Sequence, residues 1–221
     1  MTQQIALPSG TPAYRATPSD GREPTRGVVI APDIGGLRPL FRDLCQQLAD
    51  DHGWAVCAPE PWPGRESLPL EQRLESVGTL VDDEVLGDLR AAADSTGADD
   101  VAVIGFCMGG MYALKASGTG RFDKAVAFYG MIRVPEQWQS ETQAQPLDAV
   151  TADGAAPVLA IIGTDDQWTP SDDVDALEAT GAEVVRYAGA DHGFVHDPSR
   201  PAHRADYAAD AWRRVITWLG G

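Results

Sequence analysis

The chain has 221 residues, 43% of them hydrophobic, with 17 basic against 33 acidic side chains and a formal net charge of −16. That length fits one domain, residues 1–221, with a sizeable core, and no apolar run reaches the length of a membrane span. The acidic balance argues against nucleic acid or an anionic membrane surface as partner.

Residues 1–23 are polar and turn-rich, with Ile5-Ala6-Leu7 and Ala13-Tyr14-Arg15-Ala16 reading as short edge strands around Pro8-Ser9-Gly10. No basic segment leads into an apolar stretch here, so a secretory signal is not expected. Cys45, Cys57 and Cys107 are odd in number and suggest no disulfide framework, which makes a reduced cytoplasm the expected setting. From residue 26 onward, β and α patterns alternate. Gly27–Ala31 reads as a buried strand, and Leu40, Phe41, Leu44, Cys45 and Leu48 recur at helical spacing up to Ala49. Trp54–Ala58 is the next strand, and residues 71–95 hold one or two helices. Val101–Phe106 is a strand, a helix follows it, and Lys124–Tyr129 is a further strand before a loop-rich stretch over 131–155. Strands over Pro157–Gly163 and Glu183–Tyr187 and a helix from about Ala202 to Leu219 complete the chain. Such alternation predicts an α/β fold with a mostly parallel sheet and helices on both faces, three layers in all. In such a sheet, functional residues gather at the carboxyl ends of the strands.

One such end is distinctive. Gly105-Phe106-Cys107-Met108-Gly109-Gly110 runs from strand into helix with a nucleophile-capable side chain at the apex. This is the Gly-x-nucleophile-x-Gly pattern of a nucleophile elbow, in which glycines remove side chains that would collide as strand and helix close in. A cysteine at the end of an apolar strand is also commonly an inert core residue, so its partners matter. On such a fold they follow in the order acid, then histidine. Thr164-Asp165-Asp166 ends one predicted strand, and Asp191-His192-Gly193-Phe194 lies just past another. Cys107, Asp166 and His192 therefore stand in triad order, each past a strand. Neither Cys-x-x-Cys nor His-Glu-x-x-His spacing occurs, and Gly-x-Gly-x-x-Gly does not follow the first long strand, so neither a metal nor a dinucleotide cofactor is expected.

At this point the chain is similar to members of the dienelactone hydrolase family, within the α/β-hydrolase fold, from about Tyr14 to Leu219. The resemblance is carried by Ala31–Gly36, Ala58–Trp62, the Gly105–Gly110 elbow, Phe128-Tyr129-Gly130, Gly163–Pro170 and His192-Gly193-Phe194. It implies Cys107 as nucleophile, Asp166 as orienting acid and His192 as base. Asp166 is preferred to Asp165 because the family acid precedes x-x-Val/Thr-Pro, here Gln167-Trp168-Thr169-Pro170. The backbone amides of Ile34 and Met108 are the expected oxyanion donors, although Ile34 also reads as a simple core residue. The family usually has glutamate at position 33, with a gating role toward the thiol. Asp33 is one methylene shorter, and a brace for the Gly35-Gly36 turn is an equal reading.

For substrate, the resemblance implies a small ester or lactone. Family members acting on dienelactone hold its carboxylate with arginines; Arg73 falls near one such position and Arg65 beside it. The second family arginine position is occupied here by His196, so a two-arginine clamp is incomplete. Trp62, Tyr129, Trp138, Trp168 and Phe194 are candidates for an aromatic pocket, or equally for core packing. A broad carboxylesterase or thioesterase, a non-catalytic binding protein on the same fold and a redox-sensing thiol at Cys107 remain open as alternatives.

Overall fold

The computed structural model describes residues 2–220. The amino-terminal segment is a hairpin of β1 (Thr2–Ala6) and β2 (Pro12–Ala16), longer on its first arm than the sequence suggests. Then come β3 (Gly27–Ala31), α1 (Pro39–His52), β4 (Ala55–Pro59), α2 (Leu70–Ser76) and α3 (Asp82–Thr96). The elbow joins β5 (Val101–Phe106) to α4 (Met108–Ser117), and β6 (Lys124–Phe128) follows. The chain ends through α5 (Pro146–Val150), β7 (Val158–Gly163), α6 (Ser171–Ala179), β8 (Glu183–Tyr187) and α7 (Ala205–Leu219).

The strands form one sheet in the order β1-β2-β4-β3-β5-β6-β7-β8. Only the β1–β2 and β2–β4 pairings are antiparallel; the other five are parallel. β3, β4, β5 and β7 are buried along their whole length, as the unbroken apolar runs predict for strands covered on both faces. One core layer packs α1 and α7 against the sheet through Phe41, Leu48, Ala211 and Val215. The opposite layer uses Leu89 of α3, Met111 and Leu114 of α4, and Leu177 of α6. Each buried Leu, Val, Met or Phe side chain among these stabilises the fold by about 1.5–3 kcal/mol.

Helix ends differ from the sequence expectation in understandable ways. Pro39 serves as the first residue of α1, where its missing N–H costs nothing, and Gly53 closes the helix at φ 71°. α7 begins at Ala205 rather than Ala202 because the preceding residues form a turn, with the Arg204 N–H donating to Phe194 O. The five-residue α5 inside the expected loop is too short for a periodic signal. Among the described residues, no helix is long and apolar enough to cross a membrane.

The chain reverses its direction of winding between β3 and β5, since β4 lies on one side of β3 and β5 on the other. A crevice at the carboxyl ends of the strands forms at such a switch point. The loop bearing Asp33 and Ile34 leaves β3 there, and Cys107 caps β5.

Candidate active site

Cys107 sits at the elbow with φ 57° and ψ −120°, an arrangement uncommon outside glycine. Its N–H donates to Phe128 O (3.0 Å), and its carbonyl accepts from the Met111 N–H (3.0 Å), fixing the apex from both sides. The glycines are required by close approach. A Cβ on Gly105 would lie 1.9 Å from Gly109 O, and one on Gly109 would lie 2.0 Å from Ala31 O. Gly110 abuts Gly130 just past β6 in the same way, its Cβ position 2.7 Å from the Gly130 Cα. The sequence pattern thus reflects backbone packed on backbone, with the half-buried thiol left at the apex.

His192 and Asp166 meet from the loops after β8 and β7. The His192 Nδ1–H donates to Asp166 Oδ2 at 2.8 Å, and the second Asp166 oxygen accepts the Trp168 N–H at 2.9 Å. Asp166 is 4% exposed. Asp165 instead lies exposed, taking the Thr164 hydroxyl at 3.2 Å. Burial alone would lower the His192 pKa, but its hydrogen bonds to Asp166 and Cys107, and their charges, raise it to about 10. That bonding leaves Nε2 as the nitrogen toward the thiol.

The loop after β3 presents the other half of the site. Asp33 O accepts the Gly36 N–H at 2.9 Å, while Ile34 O accepts from Trp62 Nε1–H at 2.9 Å and Arg73 Nη1–H at 3.2 Å. These bonds fix the peptides on both sides of Ile34. Its own N–H has no hydrogen-bond partner among the described residues, and neither has that of Met108 at the first position of α4.

Several expected site residues occupy other places. Arg73 is 7% exposed, and its guanidinium also donates to Leu68 O at 2.9 Å and to Glu66 O, so it secures loops rather than facing open solvent. Trp62 and Phe194 are fully buried; Trp62 is bound through its indole and Phe194 packs on Tyr129 and Tyr187. Arg65 stacks over Trp62 at 5.1 Å and donates to Thr79 Oγ1 at 3.1 Å. It lines a partly open cavity of about 70 Å³ with Pro32, Met108 and Tyr112, on the α3 side of the elbow, and His192 is not part of that lining. Trp168 is half-buried, stacked on Trp138 at 5.2 Å with its ring 6.4 Å from that of His192. It borders a surface cleft with Val134, Pro135 and Gln167.

The Asp33 carboxylate takes four hydrogen bonds from three residues, and Cys107 is not among them. Oδ1 accepts the Gly35 N–H at 2.8 Å and an Arg38 N–H; Oδ2 accepts from Arg38 Nη2 at 2.9 Å and from His196 Nε2 at 2.7 Å. Burial alone would raise its pKa, but the bonds from His196 and Arg38 hold its carboxyl below the ordinary carboxylate range. His196 is itself 8% exposed, and burial lowers its pKa against the pull of Asp33. With Asp33 ionised by Arg38, the arrangement is a neutral His196 donating from Nε2 and accepting the Tyr129 hydroxyl at Nδ1. The turn-bracing reading of Asp33 matches these contacts. Arg38 was not apparent as a site residue, because a five-residue separation across a glycine turn carries no periodic signature.

The model of the dienelactone hydrolase family matches residues 11–221. A protein of Methylorubrum extorquens, provisionally named a carboxymethylenebutenolidase, is 34% identical over 94% of this chain and 76% of its own. A carboxymethylenebutenolidase of Rhodococcus opacus is 28% identical over 87% of this chain and 79% of its own. The crystal structure of a protein from Klebsiella pneumoniae, provisionally named a dienelactone hydrolase, superposes with a TM-score of 0.87 at 30% identity, covering 99% of this chain and 98% of that one. With the cysteine elbow, the strand order and a family match over nearly the whole length in agreement, the chain belongs to the dienelactone hydrolase family.

Proposed function

We propose that the protein hydrolyses small carboxylic esters or lactones through a thioester on Cys107, with His192 as base and Asp166 as the acid that orients it. The observation that carries this reading is the His192 Nδ1–Asp166 Oδ2 bond of 2.8 Å beside an elbow cysteine. It fixes the imidazole so that Nε2 serves the thiol. The thiolate attacks the carbonyl carbon, a C–S bond forms and the carbonyl electrons move onto oxygen. The unpartnered amides of Ile34 and Met108 suit that oxyanion, each such donor being worth about 3 kcal/mol of barrier. Collapse breaks the ester C–O bond, and the leaving alkoxide takes the proton from the His192 imidazolium. Water then gives its proton to His192, attacks the thioester and releases the acid and the thiolate. With a lactone the alkoxide stays tethered, so a single hydroxy-acid product forms.

The names of the relatives support a lactone within this class. The spent guanidinium of Arg73 and the neutral, buried His196 favour a second reading, an esterase whose substrate needs no carboxylate clamp at those two positions. The three unpaired cysteines support a reducing cytoplasm as its setting.

Steady-state hydrolysis of dienelactone beside a neutral nitrophenyl ester, with Cys107→Ala as the blank, tests both readings. We expect turnover that disappears in Cys107→Ala. Turnover of the neutral ester at comparable or higher kcat/KM supports the esterase reading, and strong preference for dienelactone supports the lactonase. Wild-type rates in Cys107→Ala would remove the mechanism.

A further inference from the structure

Tyr129, immediately after β6, is the second non-glycine residue at positive φ (40°) among the described residues; Cys107 is the other. A left-handed backbone is unfavourable for a bulky aromatic and persists only where the surroundings over-determine it. Here they do. The Tyr129 N–H donates to Ile161 O at 2.8 Å, and its fully buried ring packs among Phe106, Phe128 and Phe194. Its hydroxyl donates to His196 Nδ1; His196 Nε2 donates to Asp33, and Asp33 accepts two bonds from Arg38. The His196 ring lies against Phe41 and Phe106, with centroids 5.7 and 5.2 Å away. Every side-chain polar atom of the buried Tyr129, His196 and Asp33 therefore has a partner, which makes such networks rigid.

The string connects three loops that the proposed reaction needs in register. Asp33 precedes the amide of Ile34, His196 lies four residues after His192, and Tyr129 follows β6 beside the elbow. The Tyr129 ring also meets the His192 imidazole edge-on, with centroids 5.2 Å apart at 66°. We propose that Tyr129 is a positioning residue, which, through the string Tyr129–His196–Asp33–Arg38, sets His192 relative to Cys107 and to the Ile34 amide. The inference rests on the hydrolase reading for its kinetic consequence but not for its structural one. The charged and titratable groups facing the string and the imidazole are Arg38 and Asp197, Asp33, Arg200, Asp166 and Cys107. The Tyr129 hydroxyl stays protonated, because burial and the nearby Asp33 and Cys107 push its pKa well up.

The test is the pH profile of Cys107 alkylation by iodoacetamide, read beside ester kinetics. Cys45 and Cys57 are fully buried, and Cys107→Ala supplies the blank. Tyr129→Phe removes only the hydroxyl. Tyr187→Phe removes an equivalent one that donates to Asp210 at 2.7 Å, away from the site. We expect Tyr129→Phe to move the alkylation midpoint by about half a pH unit or more and to lower kcat about tenfold with little change in KM, with Tyr187→Phe doing neither. His196→Asn cuts the string at its next link and should shift the alkylation profile likewise, which keeps the test available if Tyr129→Phe folds poorly. Superimposable alkylation profiles for wild type and a folded Tyr129→Phe or His196→Asn would overturn the proposal. Absence of ester turnover in the wild type would instead fault the hydrolase reading, and the alkylation profile would still decide this one.

Discussion

His192 lies between a buried carboxylate and a thiol, and that position decides its proton affinity. Asp166 is engaged by His192 and by the Trp168 N–H, whereas Asp165 turns to the Thr164 hydroxyl at the surface. Adjacent aspartates in a turn point in different directions, so the contribution of each is separable. Asp166→Asn should lower kcat by about a thousandfold or more and bring the His192 pKa down from about 10, as followed by NMR titration of the imidazole. Asp165→Asn should leave both nearly unchanged. Equal losses in the two variants, or an unmoved His192 in Asp166→Asn, would contradict the assignment. The placement of Cys107, Asp166 and His192 at neighbouring strand ends was legible in the sequence because each follows a strand and the elbow glycines mark the apex. The surroundings of Arg73 and Trp62 were not. Which way a side chain turns to meet the Ile34 carbonyl depends on contacts between segments 28 and 39 residues apart, and no local pattern records that.

The elbow, as an element, depends on contact between backbones. β5 and α4 approach so closely that Gly105 and Gly109 leave no space for a methyl group, and the opposing atoms are main-chain oxygens that have no rotamer to change. Gly105→Ala should therefore destabilise the fold by about 3 kcal/mol, at the upper end of ordinary overpacking. Urea denaturation would measure the loss, and a stability within 0.5 kcal/mol of wild type, about the scatter of a neutral surface change, would contradict this account. The central strands β3, β5 and β7 were the most legible elements, since such apolar runs between turns leave few other readings. Helix ends were less so: the start of α7 depends on a bond from Arg204 to Phe194, and α5 on a proline start in a stretch too short for periodicity.

For the whole molecule, the sheet order explains why the site forms where it does. The reversal between β3 and β5 opens the crevice, and the loops after β3, β5, β6, β7 and β8 supply Ile34, Cys107, Tyr129, Asp166 and His192 in turn. Alternating strands and helices made the parallel sheet readable from the sequence, while the cross-loop string from Tyr129 to Arg38 appears only once the sheet has assembled. The same assembly spends Arg73 on carbonyls and buries His196, which is the basis of the esterase reading proposed above. The central claim is that acyl transfer passes through Cys107. Its most direct measurement is the intact mass of enzyme quenched in acid during turnover of a nitrophenyl ester, with peptide mapping of the adduct. The account predicts a mass increase of one acyl group, mapped to Cys107 and absent in Cys107→Ala. An adduct on another residue, or ester turnover that persists in Cys107→Ala, would contradict it.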